Sequence, residues 1–187
     1  MKLTVHTERA FSVAQFLSAD ECAELIALAE AQGFIAAGVR TREGPKAMPM
    51  IRNNERVLLA SPHWVALLWQ RLSDITLPVL DGEIAVGLPR DLRFYKYTPG
   101  QRFKMHKDGP WTEDGMVSKL TMLVYLNEEF TGGSTDFRDC SIQPETGSAL
   151  FFIHDTWHEG AAIQDGYKYV LRSDVLYAPR NALIINT

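Results

Sequence analysis

The sequence predicts an α+β fold that is mainly β, with helices in the N-terminal half supporting a C-terminal β-domain. Three observations predict it. Cys22, Leu25, Ile26 and Leu28-Ala29 recur at helical spacing behind a capping signal. From residue 92 onward the texture changes to short β-prone runs separated by Gly, Pro and Asp, which is the pattern of a sandwich or barrel. The chain has 187 residues and is 46% hydrophobic, which suits one domain with a substantial buried core.

The first helix opens at Ser18, whose hydroxyl and the Glu21 carboxylate satisfy orphan amides as a capping box, and it continues to Gly33. Residues 40–54 carry Gly44, Pro45 and Pro49 among several charges and read as a mobile loop inside the domain. A second helix is expected over residues 62–72, with Trp64, Leu67, Leu68 and Trp69. Strands are expected over residues 93–97, 120–126, 148–153 and 167–177. On this reading residues 1–91 are mainly helical support and 92–178 the β core of a single domain spanning 1–187.

A formal net charge of −4 and a pI near 5.7 argue against nucleic acid as the partner, because phosphate binding needs a concentrated basic surface. The first nine residues interrupt their apolar positions with charges, and no run is long enough to span a bilayer, so neither secretion nor a membrane partner is expected. A cytoplasmic location is. Cys22 and Cys140 are far apart and fit no Cys-x-x-Cys pattern; both are expected to be reduced.

The chemistry centres on His106-Lys107-Asp108. On extended chain, side chains at i and i+2 share one side, so both could reach one ion. Spacing alone does not make a site, as His6-Thr7-Glu8 illustrates, and the pair could equally be an exposed polar pair at a loop entrance. A distal His158 would complete two histidines and a carboxylate, a set that occupies one face of a ferrous ion and leaves three positions open. His154 competes for the distal place.

The context resembles a known family. Residues 94–108, Phe94-Tyr95-Lys96-Tyr97-Thr98-Pro99-Gly100-Gln101 through His106-Lys107-Asp108, look like the segment that carries the iron ligands in prolyl 4-hydroxylase-type 2-oxoglutarate dioxygenases. Similar segments follow in order at residues 123–127, 132–137, 144–152, 158–160 and 166–168, and even residues 16–22 resemble the helix opening that precedes this domain.

That resemblance implies a double-stranded β-helix, or jelly roll, with Fe(II) held by His106, Asp108 and His158, and with 2-oxoglutarate and O2 as co-substrates. It favours His158 over His154 because Lys168 then stands ten residues on, the separation implied for the cation that binds the distal 2-oxoglutarate carboxylate. His154 is read as capping the turn after the 151–153 strand. Arg172 shares a strand face with Lys168 and is the rival cation, or else pairs with Asp174. Tyr125 matches a position that hydrogen-bonds the same carboxylate, and Tyr97 could do so too. Gly132-Gly133 and Gly147 are read as architectural turns. Arg93, Tyr95, Trp111 and Trp157 are candidates to line a substrate entrance, and Arg52, in the donor cluster 52–56, to contact substrate.

The activity implied is hydroxylation of a C–H bond of a prolyl or similar residue in a protein or peptide, with release of succinate and CO2. Related halogenases carry a small residue in place of Asp108, so its presence favours hydroxylation. A free amino acid or other small metabolite is the alternative substrate, and a non-catalytic metal-binding or sensory jelly roll the alternative class.

Overall fold

The computed structural model describes residues 2–41 and 44–180. Its frame is two antiparallel sheets laid face to face. The larger has ten strands, running from Lys2–Thr7 at one edge through Ala10–Ala14, Ala149–Ile153, Met116–Tyr125, Lys168–Pro179, Asp91–Tyr97 and Glu55–Ala60 to Ile35–Ala36; Thr112–Glu113 and Glu83–Gly87 pair alongside. The smaller sheet orders Ser141–Ile142, Thr135–Phe137, His158–Gly160 and Phe103–His106. This is the jelly roll that the sequence resemblance implies.

Alternation along the central strands decides what lies on each side of the large sheet. In Asp91–Tyr97, Leu92 and Phe94 join a core with Leu25 and Ala29 of one helix and Leu68 and Leu72 of the other, while Tyr95 and Tyr97 turn into the space between the sheets. The neighbouring strand does likewise: Leu171 and Val175 face the helices, and Lys168, Val170 and Arg172 face inward. The inner face therefore carries buried Lys168 and, two pairs along the same strand face, Arg172.

Both helices form where the sequence predicts. Ala19–Gln32 begins with the Ser18–Glu21 capping box and stops at Gly33 (φ +85°); Pro62–Leu72 is capped by the Ser61 hydroxyl, with proline in its first turn. Leu25 and Leu68 are fully buried against the sheet, each worth roughly 1.5–3 kcal/mol of transfer free energy. Among the described residues no helix is long and apolar enough to cross a membrane.

The reading of residues 1–91 as mainly helical is corrected. Alongside two helices, that half supplies Lys2–Thr7, Ala10–Ala14, Glu55–Ala60 and Glu83–Gly87 to the large sheet. Ala10–Ala14 pairs along Ala149–Ile153, burying Ala10 and Val13, and Lys2–Thr7 pairs outside it. Lys2–Thr7 and Ala10–Ala14 form a hairpin, but the strand that Ala10–Ala14 joins in the sheet lies more than a hundred residues away, so the local pattern does not announce its place. The stretch 40–54, read as a mobile loop, contributes a short hairpin of Val39–Thr41 with Gly44–Lys46, and Arg52 bridges to Phe103; residues 42–43 lie outside the described residues. Gly44, at φ +106°, supplies a backbone conformation that side chains disfavour.

Candidate metal centre and co-substrate cavity

His106 ends the Phe103–His106 strand, His158 begins His158–Gly160, and the two are directly paired in the ladder of the small sheet. Paired residues on adjacent strands present their side chains to one side, and the imidazole centroids lie 4.2 Å apart. Asp108 follows two residues later, with its amide held by the His154 carbonyl at 3.1 Å. Its carboxylate oxygens approach His106 Nε2 to 3.8 Å and His158 Nε2 to 3.7 Å, and one atom from each of the three residues lies within 4.8 Å of the others.

Both rings are fixed in the same tautomer. His106 Nδ1 lies 2.7 Å from the Lys104 carbonyl and His158 Nδ1 lies 2.9 Å from that of Thr156. A carbonyl only accepts, so each Nδ1 bears the proton and each Nε2 presents its lone pair to Asp108. Burial, reinforced by its neighbour His158, pulls His106 down to about 3, and burial also lowers His158, so both imidazoles are neutral near pH 7. Burial alone would raise the Asp108 carboxyl; the Arg172 guanidinium beside it, with the two imidazoles, outweighs that and holds it well below the carboxylate range. Two neutral imidazoles and an ionised carboxylate on one side of a cavity are a donor set that fits ferrous iron.

Asp108 is itself positioned. Arg172 Nη2 forms an ion pair with Oδ1 at 3.1 Å and Thr121 Oγ1 donates to Oδ2 at 2.7 Å. Having given its proton to Asp108, Thr121 accepts from His154 Nδ1 at 2.8 Å, and His154 Nε2 then accepts from Ser118 Oγ at 2.8 Å. Ser118 Oγ in turn accepts from the Trp111 amide at 2.8 Å. His154 thus does not cap a turn through its ring, as the sequence suggested; it sits in a buried, one-directional chain ending on Asp108. Arg172 meets the expected Asp174 at 3.1 Å, but Asp108 as well, and Arg93 completes the pairing at 2.9 Å from Asp174.

Deeper in the same cavity lies Lys168, only 4% exposed. Its ammonium donates to the Gly133 carbonyl at 2.5 Å and lies over the rings of Tyr125 (5.2 Å) and Tyr97 (5.7 Å). Among the described residues no carboxylate reaches it within ion-pair distance, and burial pulls it from the usual 10.5 to about 7. Gly133 is fixed as glycine here: at φ +67° a Cβ would meet Ile163 Cδ1 at 2.3 Å. The Tyr125 hydroxyl donates to Thr135 at 2.7 Å.

The substrate candidates divide. Tyr95 lines the cavity and its hydroxyl takes a bond from Arg172 at 3.4 Å. Arg52 lies over the Tyr95 and Phe103 rings at 4.4 and 4.5 Å. Arg93 and Trp111 stack at 5.2 Å behind Asp174 and do not line the cavity. Trp157, 37% exposed, lies outside it beside Lys107 and Arg138. Sequence reasoning missed Thr121 and Ser118. A signal for Thr121 existed, a hydroxyl in the inward series with Leu123 and Tyr125.

Residues 92–173 match the 2OG-Fe(II) oxygenase superfamily. A protein of Acanthamoeba polyphaga mimivirus described as a candidate prolyl 4-hydroxylase is 31% identical over 43% of this chain; the chain spans 42% of that relative's length. Among solved structures, the fold is similar to the viral collagen prolyl hydroxylase of Paramecium Bursaria Chlorella virus-1 in its 2-oxoglutarate complex (TM-score 0.67, 24% identity, 90% of this chain and 96% of that one). It is similar as well to a Pseudomonas putida prolyl-4-hydroxylase (0.70, 19%, 91% and 94%). A third likeness is a Trichoplax adhaerens prolyl hydroxylase bound to a peptide of the hypoxia inducible factor oxygen degradation domain (0.68, 17%, 97% and 88%). That family's chemistry runs on Fe(II), 2-oxoglutarate and O2, for which the imidazole–carboxylate set is chemically suited. The segment that matches the 2OG-Fe(II) oxygenase superfamily, residues 92–173, is the one that carries His106, Asp108, His158, Lys168 and Arg172.

Proposed function

We propose that this protein hydroxylates a C–H bond of a prolyl or similar residue in a protein or peptide, consuming 2-oxoglutarate and O2 and releasing succinate and CO2. One observation carries the reading: a His–Asp–His set and a buried lysine without a carboxylate partner among the described residues share one cavity. Iron, when bound, supplies the oxidising chemistry. His106, Asp108 and His158 would hold it through two Nε2 atoms and a carboxylate oxygen. Lys168 would take the distal carboxylate of 2-oxoglutarate, with Tyr125 and Tyr97 flanking that place. Arg172 is engaged by Asp108 and Asp174, so it acts by orienting the iron-binding carboxylate and leaves the co-substrate to Lys168. The peptide bound to the Trichoplax relative supports a peptide substrate here.

The test is succinate formation from 2-oxoglutarate under Fe(II) and O2, with mass spectrometry of host extract for a +16 Da product. His106→Ala and Asp108→Ala should each remove turnover by at least a hundredfold while far-ultraviolet circular dichroism stays native. Full activity in both variants would refute the site. An added oxygen found only on free amino acids or metabolites would replace the peptide substrate while leaving the oxygenase reading intact.

A further inference from the structure

The inner face of the large sheet carries more positive charge than the iron and co-substrate sites use. Arg172 and Arg93 are matched by Asp108 and Asp174, and the function proposed above gives Lys168 to 2-oxoglutarate. Two arginines remain. Arg52 is 6% exposed; its Nε donates to Asn54 Oδ1 at 2.7 Å, and its Nη2 is buried with no acceptor. Arg56 stands directly opposite Tyr95 in the ladder of Glu55–Ala60 with Asp91–Tyr97, and therefore on the same face as the cavity-lining phenol. Among the described residues neither guanidinium has a carboxylate within ion-pair distance.

Arg52 is placed by the backbone as well as by Asn54. Its bridge to Phe103 ties residues 48–54 to the edge of the small sheet, while its guanidinium lies against Tyr95 of the large one. It spans the two sheets beside the cavity. Leu58, two residues past Arg56 on the same face, is 49% exposed, so this end of the face is open. The field there shows at Tyr95: burial alone would raise its phenol, yet Arg172, Arg52 and Arg93 together bring it down to about 8. A buried donor without an acceptor costs free energy until something supplies one. The partner that suits a planar guanidinium fork is a carboxylate.

We infer that the substrate carries a carboxylate beside the carbon to be hydroxylated, and that Arg52 and Arg56 bind it at the open end of the cavity. Resting on the peptide reading above, this assigns the carboxylate to an acidic residue flanking the target in the peptide. The α-carboxylate of a free amino acid is the other source of the same group.

The experiment uses the iron-loaded full chain and eight-residue, end-blocked peptides with one central proline, flanked by Asp, by Asn or by Lys. The Asp peptide should exceed the Asn peptide about ten- to a hundredfold in kcat/KM, the range for a charge-assisted pair, and the Lys peptide should be poorest. Arg56→Gln, at a half-exposed position, should collapse the Asp-to-Asn ratio toward one. Arg52→Lys, which keeps charge but loses the fork, should reduce it severalfold. Equal use of Asp and Asn peptides by the wild type, or a ratio unchanged in Arg56→Gln, would overturn the inference. Where only free proline is hydroxylated, the peptide reading falls and the carboxylate is judged against prolinamide: strong discrimination sustains the inference, and equal turnover overturns it.

Discussion

Replacing Lys168 with Met separates what serves the fold from what serves the chemistry. The ammonium is 4% exposed with one carbonyl partner, and burial brings it from 10.5 to about 7. At about 1.4 kcal/mol per pH unit, that gap is on the order of 5 kcal/mol against the charged form in the folded chain. Removing the side chain's charge leaves the Gly133 carbonyl without its donor, a loss of about 1–3 kcal/mol. Without co-substrate, the variant should therefore be more stable than wild type by about 2–4 kcal/mol at pH 6. The sign with pH follows from the direction of the shift. Between about 7 and 10.5 the unfolded chain binds more protons at this lysine than the folded one, so wild-type stability rises with pH and the variant's advantage narrows. The same substitution should weaken 2-oxoglutarate about ten- to a hundredfold, because it deletes a charge-assisted bond to a carboxylate. Urea unfolding of the metal-free proteins from pH 6 to 10, and calorimetric titration of 2-oxoglutarate onto the manganese-loaded proteins, measure the two effects. A variant less stable than wild type at pH 6, or one that binds 2-oxoglutarate undiminished, would refute the reasoning.

Other expectations follow from the same geometry. At pH 8 Lys168 is largely neutral in the free protein, so binding the co-substrate should take up close to one proton, seen as a dependence of binding enthalpy on buffer ionisation and absent in Lys168→Met. His154→Ala should weaken Co(II) binding about ten- to a hundredfold without unfolding the chain, and Thr121→Val should do the same; because both interrupt one chain of hydrogen bonds, the double variant should lose little more than either single. Additive losses in Co(II) absorbance titrations would count against a shared relay. Glu21→Gln keeps the capping acceptor while removing the ion pair to Arg71, and should cost about 1 kcal/mol at pH 7. The Arg71 hydrogen bonds pull the Glu21 carboxyl down to about 2, so the contribution is present above 4.5 and fades as pH falls toward 2, where the two proteins should unfold alike.

How much of this was legible in the sequence depended on whether a feature is local. The helix of residues 19–32 announces itself through Ser18, Glu21 and Gly33, and the strand at 91–97 through its alternation, because the causes lie within a few residues. The pairing of Ala10–Ala14 with Ala149–Ile153 has its cause a hundred residues away, and the polar-interrupted N-terminus shows no strand without it. The site divides in the same way. His106 and Asp108 are readable as an i, i+2 pair, and Lys168 only through the separation from His158 that the family resemblance implies. Sequence alone could not show that Arg172 spends its guanidinium on Asp108 and Asp174, since three strands or loops must meet before the choice between partner and co-substrate exists. Nor could it show the role of His154, whose ring is assigned by two hydroxyls on the neighbouring strand.

The direct ladder pairing of His106 with His158 has a further consequence. Strand side chains alternate, so sliding either of these strands by one residue would turn one imidazole to the opposite face and leave the other behind. An ion that requires both rings binds only the correct register, and through mass action it adds its binding free energy to that register alone. The small sheet, built from strands of two to four residues, has few ladder bonds of its own with which to reject a slipped alignment. A metal held by both rings would then proofread the assembly as well as serve the chemistry, and chains that had closed wrongly would reveal themselves by failing to take it up.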